Sequence, residues 1–79
     1  MEITAEYVLS VIRNANIPDL DAESLNAEQT FSEQGVDSLD TMSILLALED
    51  GFAVQIPDED ADQLRSIPDI VGYLKGRLA

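Results

Sequence analysis

From Ser38 to about Asp50 the chain reads SLDTMSILLALED, a run of good helix formers with neither glycine nor proline inside it. Gly35 breaks the backbone pattern upstream and Asp37 is a strong N-cap, so a helix is expected to begin at Ser38. At about 100° per residue, Ile44, Leu45, Leu48 and Phe52 share an arc of roughly 100°, which is the expected core face. Leu39 and Leu46 lie roughly 150° from the centre of that arc, so a straight helix cannot bury all six together. Ser38 is left in an exposed first turn. There, unpaired N–H groups and the positive end of the helix dipole favour an anion, which suits the hydroxyl to carry a phosphate ester.

The remaining chain has little material with which to cover that face. At 79 residues it is expected to form one domain, 1–79, of a size that buries only about 60% of the surface its unfolded chain exposes. A hydrophobic content of 46% supports a packed core in spite of a net charge of -12. The chain has no cysteine and no histidine, which removes disulfides, thiolate zinc sites, the usual general base and the commonest metal ligand. Neither catalytic residues nor a resident metal are expected. With four basic residues against sixteen acidic ones, nucleic acid and anionic membrane surfaces are repelled, and protein partners should present Lys and Arg patches. The residues after Met1 form no basic n-region, and no apolar run reaches signal-peptide or membrane-span length. A cytoplasmic, freestanding monomer is expected.

Ahead of the central helix, Tyr7, Val8, Val11, Ile12 and Ala15 mark one face of an amphipathic helix from Thr4, its cap, to about Asn16. Pro18 blocks its continuation. The connection from Ile17 to Gly35 is long for a loop; Ile17, Leu20, Leu25 and Phe31 should pin it to the core while Asp19, Asp21, Glu23 and Glu28 face water. A partial turn over Thr30 to Gln34, ended by Gly35, is expected. After the central helix, Gly51 and then Ile56-Pro57 interrupt the pattern, and Pro57 suits the first position of a short helix holding Asp58, Glu59, Asp60 and Ala61. The alternating Asp58, Asp60 and Asp62 lack the glycine and glutamate of a calcium loop, leaving only loose divalent binding. Ser66 should cap a last helix with Pro68 and Asp69 in its opening turn, an apolar stripe of Ile67, Ile70, Val71, Leu74 and Leu78, and Gly72 and Gly76 on the far side. Three substantial helices and a short one give an all-α bundle.

Gly35-Val36-Asp37-Ser38-Leu39-Asp40 resembles the phosphopantetheine attachment motif of acyl carrier proteins, which centres on Asp-Ser-Leu. The likeness extends from Phe31 through Ala47-Leu48-Glu49 and Phe52 to Ile56-Pro57-Asp58-Glu59-Asp60, and more faintly into the first and last helices. It implies a small four-helix bundle of the carrier-protein type with a long first crossover. It further implies a 4′-phosphopantetheine moved from coenzyme A to Ser38 by a phosphopantetheinyl transferase, with Asp37 presenting the serine and the transferase's magnesium ion and Leu39 completing the motif. Acyl groups would then travel as thioesters between acyl-loading and acyl-processing enzymes of fatty acid, polyketide or related biosynthesis.

Two further sets of residues are expected to serve that role. Leu39 and Leu46, with Met42 and a border of Asp40, Ser43, Glu49 and Asp50, form a small apolar ridge with a charged rim, the anatomy of a docking surface. Ile44, Leu48, Ile56, Ala61 and Ile67 are candidates to line an acyl-chain pocket, although the same residues serve equally as ordinary core. Ser43 and Gly51 stand where carriers of fatty acid synthesis often have Glu, which leaves room for a dedicated pathway. The single glycine before Val36 resembles acyl carriers more than peptidyl ones. The competing reading is an unmodified acidic helical adaptor that binds a basic partner, with Ser38 only a helix-start residue.

Overall fold

Three of the four α-helices among the described residues start where a side chain satisfies one of the backbone groups that a helix end leaves unpaired. The computed structural model describes residues 2–18 and 20–78, so the expected outward placement of Asp19 lies outside the described residues. Helix α1 spans Ala5–Asn14, slightly shorter than its periodicity suggests, and Thr4 Oγ1 accepts the Tyr7 N–H at 3.1 Å. Val8, Leu9 and Ile12 are its buried residues, and Ala15 is exposed beyond its end. The chain leaves α1 through Asn16 in the left-handed region (φ 52), which asparagine tolerates better than most residues.

The crossover is held by local devices. A 3₁₀ turn covers Ala22–Ser24, and Leu20, Leu25 and Ile17 pack half-buried against the core, while Asp21, Glu23 and Glu28 are exposed. Thr30 and Glu33 cap one another, the Glu33 N–H donating to Thr30 Oγ1 at 3.1 Å and the Thr30 N–H to Glu33 Oε1 at 2.9 Å. The turn closes as a Schellman motif, with Gly35 at φ 81 and the Val36 N–H donating to the Phe31 carbonyl at 2.8 Å. Phe31 is buried, so this turn is anchored as well as capped.

Helix α2 spans Ser38–Phe52 and buries Ile44, Leu45, Leu48 and Phe52, the face its periodicity indicates. It runs past Gly51, which is a correction to the sequence expectation. A Cβ at Gly51 would lie 2.5 Å from Val11 Cγ1, so this glycine admits α1 alongside α2 instead of ending the helix. The left-handed residue at the end is Ala53 (φ 55), and the Val54 N–H donates to the Glu49 carbonyl at 3.1 Å.

Helix α3 is the short Asp58–Ala61, with Pro57 as its N-cap and not, as expected, its first helical residue. Helix α4 spans Ile67–Leu78. At its start Ser66 Oγ accepts the Asp69 N–H at 3.3 Å while Asp69 Oδ2 accepts the Arg65 N–H at 3.1 Å. Ile67, Ile70 and Leu74 are buried and Val71 half-buried, but Leu78 is exposed, so the apolar stripe ends a turn early.

The core sits where α1 packs on both α2 and α4. Its fully buried side chains are Val8, Ile12, Ile44, Leu48, Ile67, Ile70 and Leu74, and Tyr7 meets Phe52 edge-on at 5.3 Å. Ile3 and Leu64, outside every apolar stripe, join this core. The Phe31 N–H donates to the Arg65 carbonyl at 2.8 Å and Thr30 bridges to Ser66, tying the crossover to the α3–α4 link. Among the described residues there is no strand, and no helix is long and apolar enough to cross a membrane.

Candidate functional site

The start of α2 is secured by Asp37. Its backbone is extended (φ -80, ψ 176) and its Oδ1 accepts the Asp40 N–H at 2.8 Å. Its carbonyl accepts from both the Thr41 N–H and Thr41 Oγ1 at 2.9 Å. The neighbouring Ser38 is therefore carried on a backbone fixed from both sides, yet it is exposed. Of the three N–H groups that the first turn cannot bond internally, Asp37 takes that of Asp40, which leaves those of Ser38 and Leu39. These donors and the dipole favour a phosphodiester at this place.

Ser38 also stands on the rim of an open groove of about 750 Å³. One wall is the α2 face of Ser38, Thr41, Met42 and Leu45, the i, i+3, i+4, i+7 row of a single helix side. Phe31 and Val36 lie at its base, and the last residue of α3, Ala61, with Asp62, Leu64 and Arg65 of the segment after it, makes the other wall. An exposed hydroxyl at a capped helix start, beside a largely apolar groove open to solvent, accommodates a phosphodiester with a long substituent. The residues present fit a phosphopantetheine group.

The other expected site residues fall in several places. Leu39, Met42 and Leu46 are 73%, 60% and 60% exposed and form one ridge with the exposed Asp50. Ser43 Oγ turns back to donate to the Leu39 carbonyl at 3.2 Å. Glu49 Oε2 accepts the Ile56 N–H at 2.7 Å, so its carboxylate also braces the α2–α3 link. Asp40 lies around α2 from the ridge, half-buried in a hollow with Leu20, Leu25, Gln34 and Val36. Of the expected pocket residues, Ile44, Leu48 and Ile67 are sealed in the core, Ile56 is half-buried away from the groove, and Ala61 alone lines it.

Gln34 is a residue that sequence reasoning missed. Its Oε1 accepts the Asn26 N–H at 2.8 Å and its Nε2 is within 3.0 Å of the Asn26, 3.2 Å of the Gln29 and 3.3 Å of the Thr30 carbonyls. One side chain thus gathers the crossover just ahead of Ser38. Nothing in local patterning marks it, because its partners are set by the path of the loop. Leu64 and Arg65 were missed too; Leu64 follows α3 outside any helical stripe, yet it is 4% exposed. Among the described residues no three His, Cys, Asp or Glu side chains converge as a metal site.

Comparison with known proteins agrees with this geometry. A family model described as a phosphopantetheine attachment site matches residues 8–74. The acyl carrier protein of Syntrophobacter fumaroxidans is 40% identical over 75 residues, covering 94% of this chain and 93% of its own. That of Akkermansia muciniphila is 37% identical over 67 residues, covering 81% and 84%. The mitochondrial acyl carrier protein of Dictyostelium discoideum is 39% identical over 74 residues, covering 94% of this chain and 59% of its own. A family match over most of the chain, relatives at about this identity along nearly its full length, and a helical bundle with an exposed serine at a capped helix start lead to one conclusion: the chain belongs to the acyl carrier protein family, non-catalytic carriers with a covalently attached 4′-phosphopantetheine.

Proposed function

We propose that Ser38 is the attachment point of the phosphopantetheine arm and that the chain, acting as a single cytoplasmic carrier unit, shuttles acyl groups between enzymes of fatty acid, polyketide or related biosynthesis. The observation that carries this reading is the exposed Ser38 hydroxyl on the capped first turn of α2, at the rim of the open groove. The attached arm would supply a terminal thiol for acyl thioesters, the sulfur chemistry that a cysteine-free chain lacks.

The chain's own residues hold, shelter and present. Asp37 keeps the first turn formed, so that Ser38 meets a phosphopantetheinyl transferase in one orientation. Phe31, Val36, Leu45 and Leu64 offer an aliphatic chain an apolar surface in the groove, where burial is worth about 0.8 kcal/mol per CH₂. A chain of six methylenes gains about 5 kcal/mol at most, enough to favour sheltering and small enough to be surrendered to an enzyme. The ridge of Leu39, Met42 and Leu46, rimmed by Asp50, suits partners with basic patches, whose encounter it would steer electrostatically. Ser43 and Gly51, in places where more acids are common, support a dedicated pathway with partners of its own.

The test is intact mass after incubation with coenzyme A and a promiscuous phosphopantetheinyl transferase. The expected result is the gain of one phosphopantetheinyl group, abolished in Ser38→Ala. A native chain that stays unmodified while a control carrier is loaded would overturn the reading in favour of an acidic adaptor.

A further inference from the structure

The groove's second wall is held in an unusual way. Helix α3 has no buried residue, and neither α1, α2 nor α4 packs extensively on it. Its downstream end is anchored, because Leu64 is in the core and the Arg65 carbonyl accepts from the Phe31 N–H at 2.8 Å. Its upstream end is held by polar contacts reaching from α4. Tyr73 donates its phenol proton to Asp60 Oδ2 at 2.7 Å and accepts from Arg77 Nη1 at 2.6 Å. The same Nη1 also donates to the Gln55 carbonyl at 2.8 Å, and the guanidinium lies 5.6 Å from the Tyr73 ring centroid. The Tyr73 ring is half-buried against the core, as is Asp60, while Arg77 is exposed, so the clasp has a firm base and a partly sheltered grip.

We propose that Tyr73, through Asp60 and with Arg77, is a positioning residue that sets how far the α3 wall of the groove stands from α2. This inference rests on the groove sheltering an acyl chain, as argued above. A wall that buries apolar side chains could give way only by opening the core. A wall anchored at Leu64 and clasped at Asp60 can swing about its downstream end while the core stays closed, and release then costs one partly buried hydrogen bond, Tyr73 to Asp60, with the exposed bonds of Arg77.

The test begins with amide hydrogen exchange on the unmodified chain, native and Tyr73→Phe, which removes the hydroxyl and keeps the ring. The Asp60 and Ala61 amides, both bonded to the Pro57 carbonyl, should exchange about five- to tenfold faster, as expected for loss of one such hydrogen bond. Amides in the middle of α1 should change much less. Unchanged α3 exchange, or equal acceleration in α1, would overturn the proposal, the latter by reducing Tyr73 to a general structural role. Asp60→Ala should reproduce the effect, and the double variant should add little to either single one; full additivity would count against a shared clasp. In a second arm, hydroxylamine cleavage of the octanoyl-loaded protein should be severalfold faster in Tyr73→Phe, and cleavage of the acetyl-loaded protein unchanged. Any other pattern would sink the link to the groove. Failure of Ser38 to accept the arm would defeat the carrier reading while leaving the exchange result to stand or fall by itself.

Discussion

Three glycines lie within helices, and the structure separates them. A Cβ at Gly51 would meet Val11 Cγ1 at 2.5 Å, with Val11 Cβ and Cγ2 each at 3.7 Å, whereas nothing lies within 4 Å of a Cβ at Gly72 or Gly76. Carbon atoms pack best at about 3.5–4.0 Å, so Gly51→Ala introduces an overlap of about 1 Å that β-branched Val11 cannot readily relieve by changing rotamer. Alanine gains up to about 1 kcal/mol of helix propensity over glycine, less in a last turn. Overpacking costs typically about 1–3 kcal/mol, so Gly51→Ala should lose about 1 kcal/mol net, and Gly72→Ala should gain up to about 1 kcal/mol. For a domain of this size each kcal/mol moves Tm by about 4–8 °C, so the two variants should melt roughly 10 °C apart. Urea unfolding supplies the free energies. Val11→Ala should relieve the overlap, giving a favourable coupling with Gly51→Ala of about 1–2 kcal/mol in a double-mutant cycle. If Gly51→Ala stabilises as much as Gly72→Ala and shows no coupling to Val11, the claim that glycine here serves the α1–α2 approach is refuted.

The remaining predictions concern charge. Asp50→Lys, on the exposed ridge of α2, should slow reactions with basic partner enzymes while circular dichroism shows the helix intact; unaltered rates would remove Asp50 from the docking surface. Glu49 is a poorer probe, since its carboxylate also holds the Ile56 N–H. Added salt or magnesium should raise Tm by screening the self-repulsion of a net charge of -12, and a Tm that falls with salt would contradict this. Burial first, and then the hydrogen bond to Asp60, raises the Tyr73 phenol above its ordinary value of 10.0, Arg77 opposing in part. The folded state thus keeps this proton longer than the unfolded chain. The corresponding stability is whole below about pH 10 and is lost as pH rises through the raised folded value. Thermal melts from pH 9 upward should show a steeper alkaline decline for the native chain than for Tyr73→Phe, and parallel curves would argue against the shift.

Sequence alone determined the parts of this protein governed by contacts three or four residues apart. Thr4, the Thr30 and Glu33 pair, Gly35, Asp37 and the Ser66 and Asp69 pair each satisfy or release backbone groups within one turn, so the starts of α1, α2 and α4 and the exposure of Ser38 were legible before any fold was known. The core face of α2 and the exposed Leu39 and Leu46 followed from periodicity for the same reason. Tertiary structure decided what depends on which surfaces meet. Gly51 reads locally as a breaker and becomes a contact only when Val11 arrives beside it. The sealed Ile44, Leu48 and Ile67 and the groove-lining Leu45, Phe31 and Leu64 are all apolar, and only the placement of the crossover and the α3–α4 link separates core from groove. The bonds of Tyr73 to Asp60 and of Arg77 to Gln55 join residues thirteen and twenty-two apart in the chain, distances over which local propensity carries no information and only the closed bundle brings donor to acceptor.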